Sequence, residues 1–190
     1  TQKIKYERFL HIKKLYKVKK KDVILSTSPL DHSMGQRLFF LAILTGCDFV
    51  YFASYNIKIW KKLIKKYSVS LAILPSNYIR LLEESFLKKK IFIKTIVSAA
   101  SQLSNKDKYT LRNSNINFYE MYGASEIGTI TSLFLNNKNR NLSSVGKILN
   151  GSKVKILSDK LIELKNKKTG EIACETKLRF DGYYKDSKLT

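Results

Sequence analysis

The run Ile116-Asn117-Phe118-Tyr119-Glu120-Met121-Tyr122-Gly123-Ala124-Ser125-Glu126 decides how the rest of the chain is read. Residues 116–119 have the β-branched and aromatic character of a short strand. Tyr122-Gly123-Ala124-Ser125-Glu126 follows directly, and a run with Gly128 and Thr129 comes after it. An aromatic ring, a flexible turn, a hydroxyl and a carboxylate thus fall within five residues. Together they offer a face for a base, a donor for a phosphate and an acid for a metal ion.

Moving outward, strand and helix signals alternate. Residues 1–21 set Ile4, Phe9, Ile12, Leu15, Tyr16 and Val18 among lysines, the pattern of an amphipathic helix. Strands are expected at 23–27, 48–53, 70–74, 91–98 and 116–119. Helices are expected at 34–45, 57–67, 78–87 and 104–111. Asp31 or Ser33 is the expected cap of the helix at 34–45, Gly46 its stop, and Ser104 the cap of the helix at 104–111. Strands and helices in this order predict βαβ units around a mostly parallel sheet, an α/β fold. After residue 127 the spacing shortens. Strand candidates at 130–135, 153–157, 161–164 and 171–176, with turns at Asn150-Gly151 and Thr169-Gly170, predict the start of an antiparallel β subdomain. The expected division is therefore 1–127 and 128–190.

Composition bounds the function. Of 190 residues, 44% are hydrophobic, which suits one soluble domain with a real core. No run of about 18 apolar residues occurs, so no membrane span is expected. Cys47 and Cys174 lie far apart without metal-ligand spacing, and are read as buried free thiols of a cytoplasmic protein. The net charge of +21 raises the prospect of nucleic-acid binding. Against it, 30 of the 36 basic residues are lysines spread over nearly every element, and arginine is the better base and phosphate reader. No specific nucleic-acid partner is expected.

In open α/β sheets ligands gather beyond the carboxyl ends of the strands. Three expected loops fall there: Ser28-Pro29-Leu30-Asp31-His32-Ser33, Ser98-Ala99-Ala100-Ser101 and Tyr122 to Glu126. Their small and polar side chains leave room for a ligand.

These loops carry a resemblance. Ser26-Thr27-Ser28-Pro29-Leu30-Asp31-His32-Ser33-Met34-Gly35 resembles the P-L-x-H-x-x-G stretch of the adenylate-forming superfamily, which comprises acyl-CoA synthetases, peptide-synthetase adenylation domains and luciferases. Ala99-Ala100-Ser101-Gln102-Leu103-Ser104 is similar to the family's G-G-A-P-L-S, with Gln102 for Pro. Tyr122 to Glu126 resembles Y-G-x-T-E, with Ser125 for Thr. Ser144-Val145-Gly146-Lys147-Ile148-Leu149-Asn150-Gly151 resembles S-V-G-x-P-x-x-G, with Ile148 for Pro. Gly170-Glu171-Ile172 and Gly182-Tyr183-Tyr184-Lys185-Asp186 match later signatures. Nearly the whole chain is covered, in the family's order.

The resemblance implies ATP-dependent activation of a small carboxylic acid as an acyl-adenylate, with release of pyrophosphate. Transfer to a thiol, of CoA or of the phosphopantetheine of an acyl carrier protein, commonly follows. It implies that Tyr122 stacks on adenine and that Ala99, Ala100 and Ser101, with Gly123 and Ala124, shape the nucleotide slot. It further implies that Ser125 donates to the α-phosphate, that Glu126 holds Mg²⁺, and that His32 lies near the substrate carboxylate or the phosphates. Met34, Gly35, Gly128 and Thr129 are expected near the acyl group, although Met34 equally suits a core.

The family's phosphate loop is expected upstream of residue 1. Its ribose-binding Asp and its C-terminal lid domain, which carries the adenylation Lys, are expected beyond residue 190. The chain is thus read as an internal piece of the large N-terminal domain, inactive in adenylation alone. The alternatives are a family member that binds nucleotide or a partner without catalysis, and a basic nucleic-acid-binding module.

Overall fold

The computed structural model describes residues 1–54, 56–87, 92–136, 138, 141–165 and 168–190, with residues 83–87 described by backbone alone. In chain order the elements are α1 (Gln2–Leu15), β1 (Val23–Ser26), α2 (Ser33–Thr45), β2 (Asp48–Tyr51), α3 (Ile57–Lys66), β3 (Leu71–Pro75) and α4 (Ser76–Leu87). They continue with β4 (Thr95–Ala99), α5 (Asn105–Leu111), β5 (Asn117–Ala124), β6 (Gly128–Phe134), β7 (Lys147–Ile148), β8 (Ser152–Leu157) and β9 (Glu171–Thr176).

The first five strands pair in parallel in the order β2-β1-β3-β4-β5. β6 and β7 extend the same sheet in antiparallel fashion, and β8 and β9 form a second, two-stranded antiparallel sheet. The expected α/β architecture with appended antiparallel structure is therefore the one observed. The expected division between 127 and 128 falls in the β5–β6 hairpin turn, and the main sheet runs on beyond it.

Successive side chains of a strand point to opposite faces. Leu25, Ala72, Leu74, Ile96 and Phe118 accordingly pack with Trp60, Ile64, Ile79, Leu82 and Leu111 of α3, α4 and α5. Ile24, Leu71, Ile73 and Val97 pack on the other face with Phe9 and Ile12 of α1 and Leu38 and Leu41 of α2. Strands covered on both faces are apolar at nearly every position, as β3 is: Leu71 to Leu74 are all buried.

Several local expectations need correction. α2 starts at Ser33, so its cap is neither Asp31 nor Ser33 but His32, whose Nδ1 accepts from the Met34 amide at 3.4 Å. Gly46 does end it, in the left-handed region. Ser104 caps α5 as expected, accepting from the Asp107 amide. The strand expected at 116–119 runs on to Ala124, because Gly123 lets the chain fold back: a Cβ there would stand 1.9 Å from the Gly128 carbonyl oxygen. The strand expected at 91–98 is β4, Thr95–Ala99, and residue 91 lies outside the described residues. Residues 161–164 are not a strand but a single bridge, Leu157 to Glu163, since Leu161 sits at φ 58° and breaks the extension. Cys47 and Cys174 are free but only partly buried. Among the described residues no helix is long and apolar enough to cross a membrane.

Candidate nucleotide and acyl site

The strand order reverses between β1 and β3, and a crevice opens there at the carboxyl ends, as in other doubly wound sheets. One cavity of about 290 Å³ is lined by Ser28, Pro29, His32 and Met34 from the β1–α2 loop, by Ile73, Leu74 and Pro75 of β3, and by Ala99 and Ala100. A second, also about 290 Å³, is lined by Ala100, Ser101 and Gln102 on one side, by Glu120, Met121, Tyr122 and Gly123 on the other, and by Val145. Ala100 belongs to both. Its φ of 69° is unusual for a residue with a Cβ, and it turns the chain sharply at the end of β4.

Of the residues singled out by sequence, Ala100, Ser101, Tyr122 and Gly123 meet in the second cavity, and His32, Met34, Ala99 and Ala100 in the first. Ala124 ends β5 exposed and lines neither. Ser125 and Glu126 sit on the β5–β6 turn, outside both linings. Ser125 is nonetheless tied to the first loop: its Oγ lies 3.0 Å from Ser33 Oγ. Gly128 packs beside Arg8 and Leu178, and Thr129 Oγ1 accepts from Arg37 Nη1 at 3.0 Å, and these two line neither cavity. Gly35 holds the first loop close to α2, since a Cβ there would stand 2.0 Å from the Pro29 carbonyl oxygen.

His32 Nδ1 accepts a hydrogen bond, so the proton of the neutral imidazole resides on Nε2 and is available to donate. Glu126 Oε1 accepts from the Tyr183 hydroxyl at 2.8 Å. Its own backbone amide first, and the Tyr183 phenol second, hold the Glu126 carboxyl below the usual carboxylate range. The same bond pushes the Tyr183 phenol up. An ionised hard-oxygen ligand of this kind fits Mg²⁺, which takes one or two carboxylates and completes its shell with water and phosphate. No cluster of three His, Cys, Asp or Glu side chains is found among the described residues.

Sequence reasoning missed three groups. Arg8 on α1 grips the turn: Nη1 donates to the Ser125 carbonyl at 2.8 Å, Nη2 to the Glu126 carbonyl at 2.8 Å and Nε to the Leu178 carbonyl at 2.9 Å. Its signal was rarity, one of six arginines in a lysine-rich chain. Ser76, at the start of α4, has its Oγ 2.6 Å from Ser101 Oγ. The third group is a fully buried ion pair, Lys108 with Glu120. Glu120 Oε1 also accepts from the Leu103 amide at 2.7 Å, and Lys108 Nζ donates to the carbonyls of Leu142 at 2.8 Å and Ser144 at 3.3 Å. The pair therefore ties β5 to both segments that flank the Tyr122 slot. Gln102, the departure from the usual Pro, reaches the same neighbour by donating to the Ser143 carbonyl at 3.1 Å.

Acyl-CoA synthetase 7 of Caenorhabditis elegans is 25% identical over 167 residues, which is 85% of this chain and 31% of that protein. The O-succinylbenzoate Coenzyme A synthetase (MenE) of Bacillus subtilis in complex with AMP superposes with a TM-score of 0.85 at 18% identity, over 96% of this chain and 38% of that one. The amide bond synthetase McbA of Marinactinospora thermotolerans gives 0.86 at 18%, over 97% and 39%. The two structures share the fold, and the chain spans about a third of the length of the relatives it matches. The AMP-binding enzyme profile matches residues 4–184, almost end to end, and the chain belongs to the AMP-binding enzyme family.

Proposed function

We propose that this chain supplies the adenosine-phosphate and acyl-binding half of an enzyme that activates a carboxylic acid as its acyl-adenylate. The observation that carries the reading is the cavity bounded by Tyr122 and Gly123 on one side and Ala100 and Ser101 on the other. A purine is flat and apolar on its faces and polar at its edges. It suits a slot between an aromatic ring and a wall of small side chains with accessible backbone. The first cavity, reached across Ala100, is lined mostly by apolar groups together with His32, which suits an acyl chain ending in a carboxylate.

In this reading the carboxylate lies near His32, whose Nε2–H donates to it. Ser125 Oγ donates to the α-phosphate, and its hydrogen bond with Ser33 sets the hydroxyl's direction. Glu126 and ATP phosphate oxygens would hold Mg²⁺, which supplies charge compensation as pyrophosphate departs. Tyr183 keeps the Glu126 carboxylate oriented on the turn, and Arg8 fixes the turn's backbone. Transfer of the acyl group to CoA or a carrier-protein pantetheine is proposed on the strength of the acyl-CoA synthetase relative.

Adenylation is assigned to a protein of the relatives' length. The present chain is expected to bind AMP yet release no pyrophosphate from ATP with any member of a carboxylic-acid panel. Calorimetry with AMP and a pyrophosphate-release assay test both halves. Absence of AMP binding by the folded chain contradicts the site assignment. Turnover by the chain alone contradicts the division of labour.

A further inference from the structure

α1 and α2 lie side by side on one face of the sheet, and a third cavity opens between them, lined by Lys5, Arg8, Phe9, Ser33, Gln36, Arg37 and Phe40. Every charged group in that lining is a cation. The seam continues in kind: His11 on α1 is held below its usual pKa by burial first and by Arg37 and Lys14 next. Arg37 itself is pushed down to about 10, by burial and then by Arg8. Two half-buried guanidiniums thus share this opening, and among the described residues neither forms an ion pair with a carboxylate.

Their donor inventories differ. Arg8 has spent Nε, Nη1 and Nη2 on three carbonyls. Arg37 gives Nη1 to Thr129 Oγ1. A guanidinium carries five N–H donors, and among the described residues Arg37 gives one of them to a protein acceptor, Thr129 Oγ1. Lys5, Ser33 and Gln36 add an ammonium, a hydroxyl and an amide at the same opening. Like charges gathered at one opening repel one another, and an incoming anion offsets that repulsion. The cavity holds about 60 Å³, room for one carboxylate- or phosphate-sized group and far too little for a nucleotide.

The pocket also adjoins the proposed site. Ser33 lines it and touches Ser125 Oγ at 3.0 Å, and Thr129, the partner of Arg37, follows the same hairpin turn. We propose that this pocket is an oxyanion-recognition site, with Arg37 as its principal donor, and that it takes an acid group distinct from the one being activated. The step to a substrate rests on the adenylation reading. Given that reading, the oxyanion is the second acid group of a dicarboxylic substrate, or else free inorganic phosphate. Both present the same chemistry to the guanidinium, a compact anion that accepts forked N–H bonds.

The test uses the full chain at fixed ionic strength, following the backbone amide resonance of Thr129, the partner of Arg37, during titration with glutarate, with butyrate and with inorganic phosphate. A saturable shift with glutarate at least about ten times tighter than with butyrate, abolished in Arg37→Gln, supports the site and assigns it to a dicarboxylate. A saturable shift with phosphate alone, also abolished in Arg37→Gln, supports the site and assigns it to free phosphate. If none of the three anions moves the resonance saturably, the proposal is overturned. Should Arg37→Gln fail to fold, Lys5→Glu provides the same reading from an exposed position: several-fold weaker anion binding is expected, and unchanged binding overturns the proposal. AMP affinity measured in the same samples separates the two levels. A chain that binds AMP but no anion refutes this pocket alone, whereas a chain that binds anion but no AMP refutes the adenylation reading and leaves the pocket standing.

Discussion

The two faces of the sheet handle charge differently. Under α3, α4 and α5, Lys108 meets Glu120 with both side chains inaccessible, and Asp107 receives Arg80 at 3.0 and 3.2 Å. Under α1 and α2, Arg8 and Arg37 meet carbonyls and a hydroxyl, with no carboxylate in ion-pair range among the described residues. The first face is closed electrostatically and serves as a fixed wall for the Tyr122 slot. The second is left net positive beside a cavity. Rigid positioning calls for pairs whose members need nothing further. Recognition of an anion calls for donors that still lack an acceptor.

The largest effect is expected on the closed face. Lys108→Met leaves the Glu120 charge buried and alone and should cost about 3–5 kcal/mol in urea denaturation. The double replacement Lys108→Met with Glu120→Leu should recover most of that loss, because a buried pair is often worth little more than an apolar substitute. A double variant no more stable than the single one breaks the view of this pair as self-compensating.

The open face should respond less and in another way. Arg8→Met removes charge-assisted bonds to three carbonyls, and about 2–3 kcal/mol is expected from the loss. Arg8→Lys should not restore it, since an ammonium cannot reproduce the fork. Amide hydrogen exchange at residues 125–128 should rise in both variants. Unchanged protection there would show that the turn does not depend on α1.

Tyr183→Phe sharpens the comparison at the turn itself. The Glu126 carboxyl is held below its usual range, so its contribution is present above the unfolded-state pKa and lost as pH falls through the folded-state value. Removing the phenol raises the folded-state value, so the acid limb of Mg²⁺-supported ATP binding should move to higher pH. An unmoved limb removes Tyr183 from the account.

The smallest effect is expected at Ala100, shared by the two cavities. Ala100→Gly relieves about 1 kcal/mol of left-handed backbone strain and gives back about 0.4–1 kcal/mol through a freer unfolded chain. The urea midpoint should therefore hardly change. A clear loss would mean that the Ala100 methyl packs in a way its exposure does not indicate.

Sequence period and punctuation carried most of the fold. The alternation of strands and helices, Gly46 as a stop and Ser104 as a cap are local signals, set by backbone chemistry near each residue. The β5 extension was hidden because it depends on pairing with β6, and pairing is not a local property. Residues 161–164 look like a strand by composition, yet one left-handed residue undoes them. At the site, motif order pointed to three strand ends, and Tyr122, Ala100 and Ser101 from two of them do share a cavity. Arg8, Ser76 and the Lys108–Glu120 pair escaped because each acts through a partner at least 12 positions away. A lone lysine in a helix and a lone glutamate in a strand give no sign that they will meet.

The measurement that bears most directly on the account is photolabelling of the folded chain with an azido-AMP probe, followed by mass spectrometric mapping. Labels confined to residues 99–102 and 120–123, suppressed by unlabelled AMP and insensitive to moderate salt, are the predicted result. Labels scattered over the lysine-rich surface and removed by salt would contradict it, because the chain would then be attracting polyanions by its +21 charge and not holding adenosine in a slot.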